Sequence, residues 1–214
     1  METKLNYKRT FLIGLAFLSI CSFWQMYDNI IPLILQNTYH LGETMTGAVM
    51  ALDNVLAIFL LPVFGMLSDK VHTKLGRRMP FIVAGTILAV IFMMLLPMID
   101  NAEKARWSTG ESFSNQVIFL AVLFFTLVSM GLYRSPAVAL MPDVTPNHLR
   151  SRANAVINLM GAVGGVYALI MIKVLVGKGE TPDYLPLFAS IAAVMAIAVG
   201  ILVITIRENK LREE

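Results

Sequence analysis

The sequence predicts an all-α integral membrane protein whose six transmembrane helices form two inverted three-helix repeats. Three observations carry that prediction. Apolar residues make up 57% of the 214 residues and charged residues only 14%, against roughly 45–50% and 25% in soluble domains. The apolar residues gather in six runs of about twenty, the length a helix needs to cross ~30 Å of hydrocarbon. The basic residues crowd into alternate connections between those runs. Hydrocarbon offers no water to the backbone, so each run must satisfy its own hydrogen bonds and is therefore a helix.

Taken in order, the spans fall at 11–35, 46–67, 80–99, 117–141, 154–176 and 185–206, in one domain covering residues 1–214. The first run is too long for a cleaved signal peptide, and no small-residue cleavage site follows it. It places Gln25, Asp28, Asn29 and Pro32 on one helical stripe. Span two carries Asp53. Span three has no charged side chain, and residues 100–116 after it read as a polar loop. Span four sets Thr126, Ser129, Tyr133 and Arg134 on one stripe, and span five does the same with Asn154, Asn158, Gly161 and Gly165. The last two form a small-xxx-small contact that lets backbones approach. Lys173 lies near the far end of span five, where its stem reaches the interface. Span six is uncharged, like span three.

Orientation follows from Lys and Arg. Lys4, Lys8 and Arg9 precede span one. Lys70, Lys74, Arg77 and Arg78 follow span two, Arg150 and Arg152 follow span four, and Arg207, Lys210 and Arg212 end the chain. The opposite connections hold only Lys104, Arg106 and Lys178. Both termini are thus expected to be cytoplasmic. The short loops, and the lack of an Asn-x-Ser/Thr acceptor, fit a prokaryotic inner membrane.

Several functions are excluded. A single cysteine, Cys21, rules out a disulfide framework and any multi-cysteine metal site; no metal or cofactor is expected. The charge of +3 and pI near 9.1 come from loop residues and do not imply nucleic acid. His40, His72 and His148 fall in loops and there is no Gly-x-Ser-x-Gly, which speaks against an intramembrane protease; the chain is not expected to be an enzyme. Neither a filter loop nor a charged ring marks a channel.

A charge at mid-bilayer costs ~2.5–3.5 kcal/mol even on insertion scales and is rarely set against lipid. Spans one, two, four and five, which carry Asp28, Asp53, Arg134 and Lys173, are therefore expected inside, around a wet hollow, with three and six outside. Asp28 and Arg134 fall at matching depths in spans one and four, and three is an odd number of helices. The two triplets thus enter from opposite sides, an arrangement found in many secondary transporters.

The connection after span two reads Gly65-Met-Leu-Ser-Asp69-Lys70, then Val-His-Thr-Lys-Leu, then Gly76-Arg77-Arg78-Met-Pro80-Phe81. It resembles the signature loop of the major facilitator superfamily, Gly-x-x-x-Asp-basic-x-Gly-basic-basic, with five residues in place of one between Lys70 and Gly76. The longer form ending Gly-Arg-Arg-x-Pro-Phe is similar to the glycoside–cation symporters and the related sucrose–proton symporters. Ala51-Leu-Asp53-Asn54, the stretch from Arg134 to Pro142-Asp143, and Arg150-Ser-Arg152-Ala-Asn154-Ala agree with it. The resemblance implies half of a twelve-helix transporter, a sugar or glycoside substrate, a coupling proton or sodium ion, and symport by alternating access. It implies that Gly65, Asp69, Lys70, Gly76, Arg77 and Arg78 form a cytoplasmic gate.

On the residues alone, Asp69 at a helix end accepts bonds from a neighbouring N-terminus or pairs with a guanidinium. Arg77 and Arg78 bridge helix ends, bind headgroups, or simply set orientation. Asp28, Asp53 and Arg134, with Gln25, Asn29, Tyr133 and Asn158, are the expected substrate and proton pathway. A carboxylate in a low-dielectric hollow is readily neutralised by a proton, and a nearby guanidinium opposes that. Trp24, Tyr27 and Tyr133 offer faces to sugar rings or serve as packing. A buried structural pairing of the acids with Arg134 is the alternative. Such a face suits no lipid, so the expected partner is a second six-helix half or a homodimer mate; an inert half that serves only in assembly is the other reading.

Overall fold

The computed structural model describes residues 5–71, 73, 75–107, 115–177, 179 and 181–206. Lys4, His72, Lys74, Lys178, Arg207, Lys210 and Arg212 lie outside the described residues. The described helices are α1 (Tyr7–Asn37), α2 (Glu43–Met50), α3 (Leu52–Lys70), α4 (Met79–Trp107), α5 (Gln116–Asp143), α6 (Arg150–Leu175) and α7 (Leu185–Thr205), with a 3-10 turn at Asn147–Leu149. They supply six segments long and apolar enough to cross a membrane, α2 and α3 together making the second.

Two boundaries differ from expectation. The second span is interrupted by a turn at Ala51, which sets Asp53 in the first turn of α3, where the helix dipole favours a carboxylate. The expected loop at 100–116 is in its first part helical, because α4 runs on to Trp107. The segment Ala102-Glu103-Lys104-Ala105-Arg106 holds strong helix formers, and Lys104 Nζ sits 2.6 Å from Asp100 Oδ2 one turn back.

The packing is a layered half-bundle. α1 and α5 occupy the middle. α6 lies along α1 as α3 lies along α5, while α7 backs α1 as α4 backs α5, and α4 meets α7 behind them. Exchanging spans one, two and three with four, five and six maps these contacts onto one another, as the inverted repeat requires. α4 and α7 bury one face each, through Ile82, Ala89 and Met93 on one and Phe188, Ile191 and Met195 on the other, and turn Ile87, Ile91, Ile197 and Ile204 outward. The inside–outside expectation is corrected: within this half-bundle spans three and six are more buried than spans two and five. Within this bundle α2 and α3 bury only Thr46 and Ser68, and they flank an open face.

Close approach of α1 to α6 depends on glycine, though not on the expected pair. A Cβ on Gly164 would run into the Leu18 carbonyl, and one on Gly161 would stand 2.9 Å from Cys21 Sγ. Gly165 has only Gln25 Oε1 near, at 3.8 Å. Ser22 Oγ, 2.8 Å from Leu18 O and 2.9 Å from Gly164 O, adds a bond across the contact. On the other side, a Cβ on Gly85 would come within 2.6 Å of Tyr133 N, so α4 and α5 meet backbone to backbone.

Candidate functional site: a polar face and a helix-end network

The open face displays Gln25, Asp28, Asn158, Asp53 and Arg134. A cleft of about 440 Å³ between α1 and α6 is lined by Trp24, Gln25, Asp28, Asn158 and Gly165 among others. Asp28, Asn29 and Asn158 are exposed, and Asn29 Nδ2 donates to the Gln25 carbonyl at 2.7 Å. A second, narrow recess between α3 and α5 contains Asp53 and Arg134, and Trp24 borders it too. The indole is thus the partition between the two. Arg134 Cζ stands 5.6 Å from the Trp24 ring centroid, a cation–π distance. Asp53 Oδ1 accepts from Asn54 Nδ2 at 3.0 Å. Among the described residues no ion pair joins Arg134 to either acid.

Two polar atoms beneath this face are buried without a partner among the described residues, Trp24 Nε1 and the Tyr27 hydroxyl. Phe23 holds both rings, edge-on to Trp24 at 5.3 Å and stacked on Tyr27 at 6.1 Å. Tyr133 does not join the face. It is fully buried, its hydroxyl 2.6 Å from Ser19 Oγ and 3.1 Å from the Ala16 carbonyl. The expected stripe of span four therefore divides: Thr126, Ser129 and Tyr133 turn inward, and Arg134 alone reaches the open side.

At the basic end, Arg78 brings three helices together. Its guanidinium stands 2.6 Å from Asp69 Oδ1 and donates from Nε to Asp143 Oδ2 at 3.0 Å. It also donates from Nη1 to the Gly65 carbonyl at 3.2 Å and to Ser68 Oγ. Asp69 lies in the last turn of α3 and Asp143 ends α5, so each carboxylate sits where the helix dipole disfavours an anion. One buried guanidinium answers both. Gly76, at φ 121°, makes the turn that returns the chain to α4, a conformation glycine adopts without a Cβ penalty. Lys70 and Arg77 stand at the same end.

Sequence reasoning placed Asp69 and Arg78 in one motif but missed Asp143 and Ser68 as partners. The signal was available: an acid at the C-terminal end of a span calls for a cation.

An apolar bundle of six membrane-length helices that keeps one charged face and ties its helix ends with a buried guanidinium is a polytopic membrane protein. A family model described as Major Facilitator Superfamily matches residues 5–213. Among curated proteins, the sucrose transport protein SUT3 of Oryza sativa subsp. japonica is 26% identical over 137 residues, covering 60% of this chain and 27% of that protein. The sucrose transport protein SUC4 of Arabidopsis thaliana is 35% identical over 116 residues, covering 51% of this chain and 22% of that protein. This chain belongs to the major facilitator superfamily. The matches span about a quarter of the length of those relatives.

Proposed function

We propose that the chain is the N-terminal half of a cation-coupled sugar or glycoside symporter that works by alternating access. The observation that carries this reading is the arrangement around Trp24: an exposed carboxylate in a roomy cleft on one side, a carboxylate and a guanidinium in a narrow recess on the other. An aromatic face with flanking acids and amides suits a polyhydroxylated ring, since carboxylates and amides accept and donate to hydroxyls. Trp24 Nε1 and the Tyr27 hydroxyl, without a partner among the described residues, add donors just beneath. Asp28 in the cleft and Asp53 beside Arg134 in the recess supply groups that a proton neutralises or a sodium ion binds. The printed names of the relatives, sucrose transport proteins, support the substrate class.

In this reading both termini and the Arg78 network face the cytoplasm, and breaking the Arg78 pairs releases that side during transport. The open face meets a second six-helix half or a second copy. The short loops suit a prokaryotic inner membrane, whereas the relatives compared are plant proteins.

The test is uptake of labelled sucrose and labelled β-glucoside into proteoliposomes holding the chain alone, or the chain with a completing six-helix half. A proton gradient and a sodium gradient are imposed in separate experiments. Gradient-driven accumulation is expected, with Asp28→Asn and Asp53→Asn each abolishing it. Accumulation unchanged in both variants sinks the coupling scheme, and no sugar uptake under either gradient sinks the substrate class.

A further inference from the structure

The side of the bundle away from the charged face carries a groove that the candidate site does not use. α4 and α7 meet there but leave a cleft of about 430 Å³ between them, inside the range of roughly 300–1,000 Å³ usual for ligand sites. Thr86 and Val199, both buried, form its floor, and the exposed side chains of Ile87, Ile91, Ala196 and Ile204 form its rims. Small residues on α7 keep it open, since a Cβ on Gly200 would meet nothing within 4 Å. The Thr86 hydroxyl donates to the Ile82 carbonyl at 2.7 Å, so the one polar side chain of the lining is engaged by its own helix. Along α4 the groove runs from Val83 to Ile91, ~12 Å at about 1.5 Å per residue. That fits inside the ~15 Å which half of a ~30 Å hydrocarbon layer provides. Because α4 starts at Met79 and α7 ends at Thr205, the half concerned is the one at the Arg78 end.

We infer that this groove holds one acyl chain of an anionic phospholipid from the leaflet at the basic end, with the lipid phosphate paired to Arg77. Both walls are membrane-length helices whose outward residues are apolar, so hydrocarbon covers the groove, and α1 and α5 separate it from the charged face. A lipid tail gains little by exchanging other tails for an equally apolar wall. Occupancy is favoured by packing instead, because an unfilled groove forfeits the dispersion contacts of its lining. Charge then selects the lipid. Among the described residues α4 carries no charged side chain before Asp100, and α7 carries none. Arg77 and Arg78 directly precede α4. Arg78 is committed to Asp69 and Asp143, which its guanidinium also neutralises. Arg77 is partly exposed, and a guanidinium has several donors to share with a phosphate. The inference rests on the shape and charge of this side of the bundle and not on the sugar reading.

The test is native mass spectrometry of the full chain in a mild detergent, titrated separately with phosphatidylglycerol and with phosphatidylcholine of the same acyl chains. Gly200→Leu fills the groove from a position where added bulk meets open space. Arg77→Gln removes the charge, and Ile197→Phe adds bulk on the exposed surface of α7 outside the groove. One phosphatidylglycerol is expected to stay bound, about fivefold tighter than phosphatidylcholine, the ratio that about 1 kcal/mol per basic side chain gives. Gly200→Leu should abolish retention of both lipids, Arg77→Gln should bring the two lipids to equal affinity, and Ile197→Phe should change neither. Should Gly200→Leu fail to fold, Ala196→Leu on the exposed rim takes its place. Equal binding of the two lipids by the unaltered chain overturns the inference, and so does undiminished retention in the groove-filling variant. A dimer that Gly200→Leu dissociates, in place of a bound lipid, also overturns it, because the groove would then belong to a second copy. None of these readouts involves sugar, so a failed transport assay leaves the result standing.

Discussion

Replacing Arg78 with methionine tests the helix-end network most directly. The side chain is buried, 7% exposed, so its loss strands two carboxylates at once. They are not equally stranded. Asp143 is 24% exposed and Asp69 53%, so water recovers much of the second. A hydrogen bond to a charged group contributes about 1.5–3 kcal/mol, which we assign at roughly 2 to Asp143. An exposed pair is worth at most about 1 kcal/mol, and that bound applies to Asp69. The Gly65 carbonyl loses little, because Ser68 Oγ still donates to it at 2.8 Å. The sum is about 3 kcal/mol, or a fall of roughly 6–12 °C in melting temperature at this chain length. Intrinsic tryptophan fluorescence in detergent reads the melt. Asp143→Asn should cost more than Asp69→Asn, and a double-mutant cycle of Arg78→Met with Asp143→Asn should return a coupling of about 1.5–2 kcal/mol. Arg78→Lys should recover only part of the loss, since an ammonium cannot present a planar fork to two carboxylates. Additive costs for positions 78 and 143, or equal costs for the two acids, would refute the reasoning.

Two further outcomes follow from packing and burial. Gly164→Ala should destabilise the fold by about 2 kcal/mol or more, since the new methyl meets the fixed Leu18 carbonyl, whereas Gly165→Ala should be neutral or stabilising by up to about 1 kcal/mol; paired melts in one detergent compare them. Tyr39 lies just past α1, and its phenol is pushed above its ordinary value of 10.0, by burial first and then by Asp100 and Glu103. A raised value means the neutral phenol stabilises the fold below about pH 10, and that this is lost as pH climbs further. The melting temperature should therefore drop above about pH 10, and Tyr39→Phe should flatten the drop. Because the hydroxyl has no partner among the described residues, that variant should lose little at neutral pH.

Hydropathy fixed the number and approximate place of the spans, because crossing hydrocarbon is a local requirement that each segment meets alone. The Lys and Arg pattern likewise marked Lys8, Arg9, Arg77, Arg78, Arg150 and Arg152 as one end of the bundle, and the loop from Gly65 to Phe81 marked the family. Helical spacing said which residues share a stripe, but not which way the stripe turns. That is why Tyr133 and Arg134, neighbours in sequence and grouped together beforehand, part company, one bonded to Ser19 in the core and the other set against Trp24.

The rest was decided between helices. Asp143 meets Arg78 across 65 positions of chain, Thr38 meets Asp100 across 62, and Gly164 rather than Gly165 meets α1. No local pattern encodes such pairings. They depend on the rotation and offset of helices about their axes, which are set only when all six pack together and every buried charge must find its opposite.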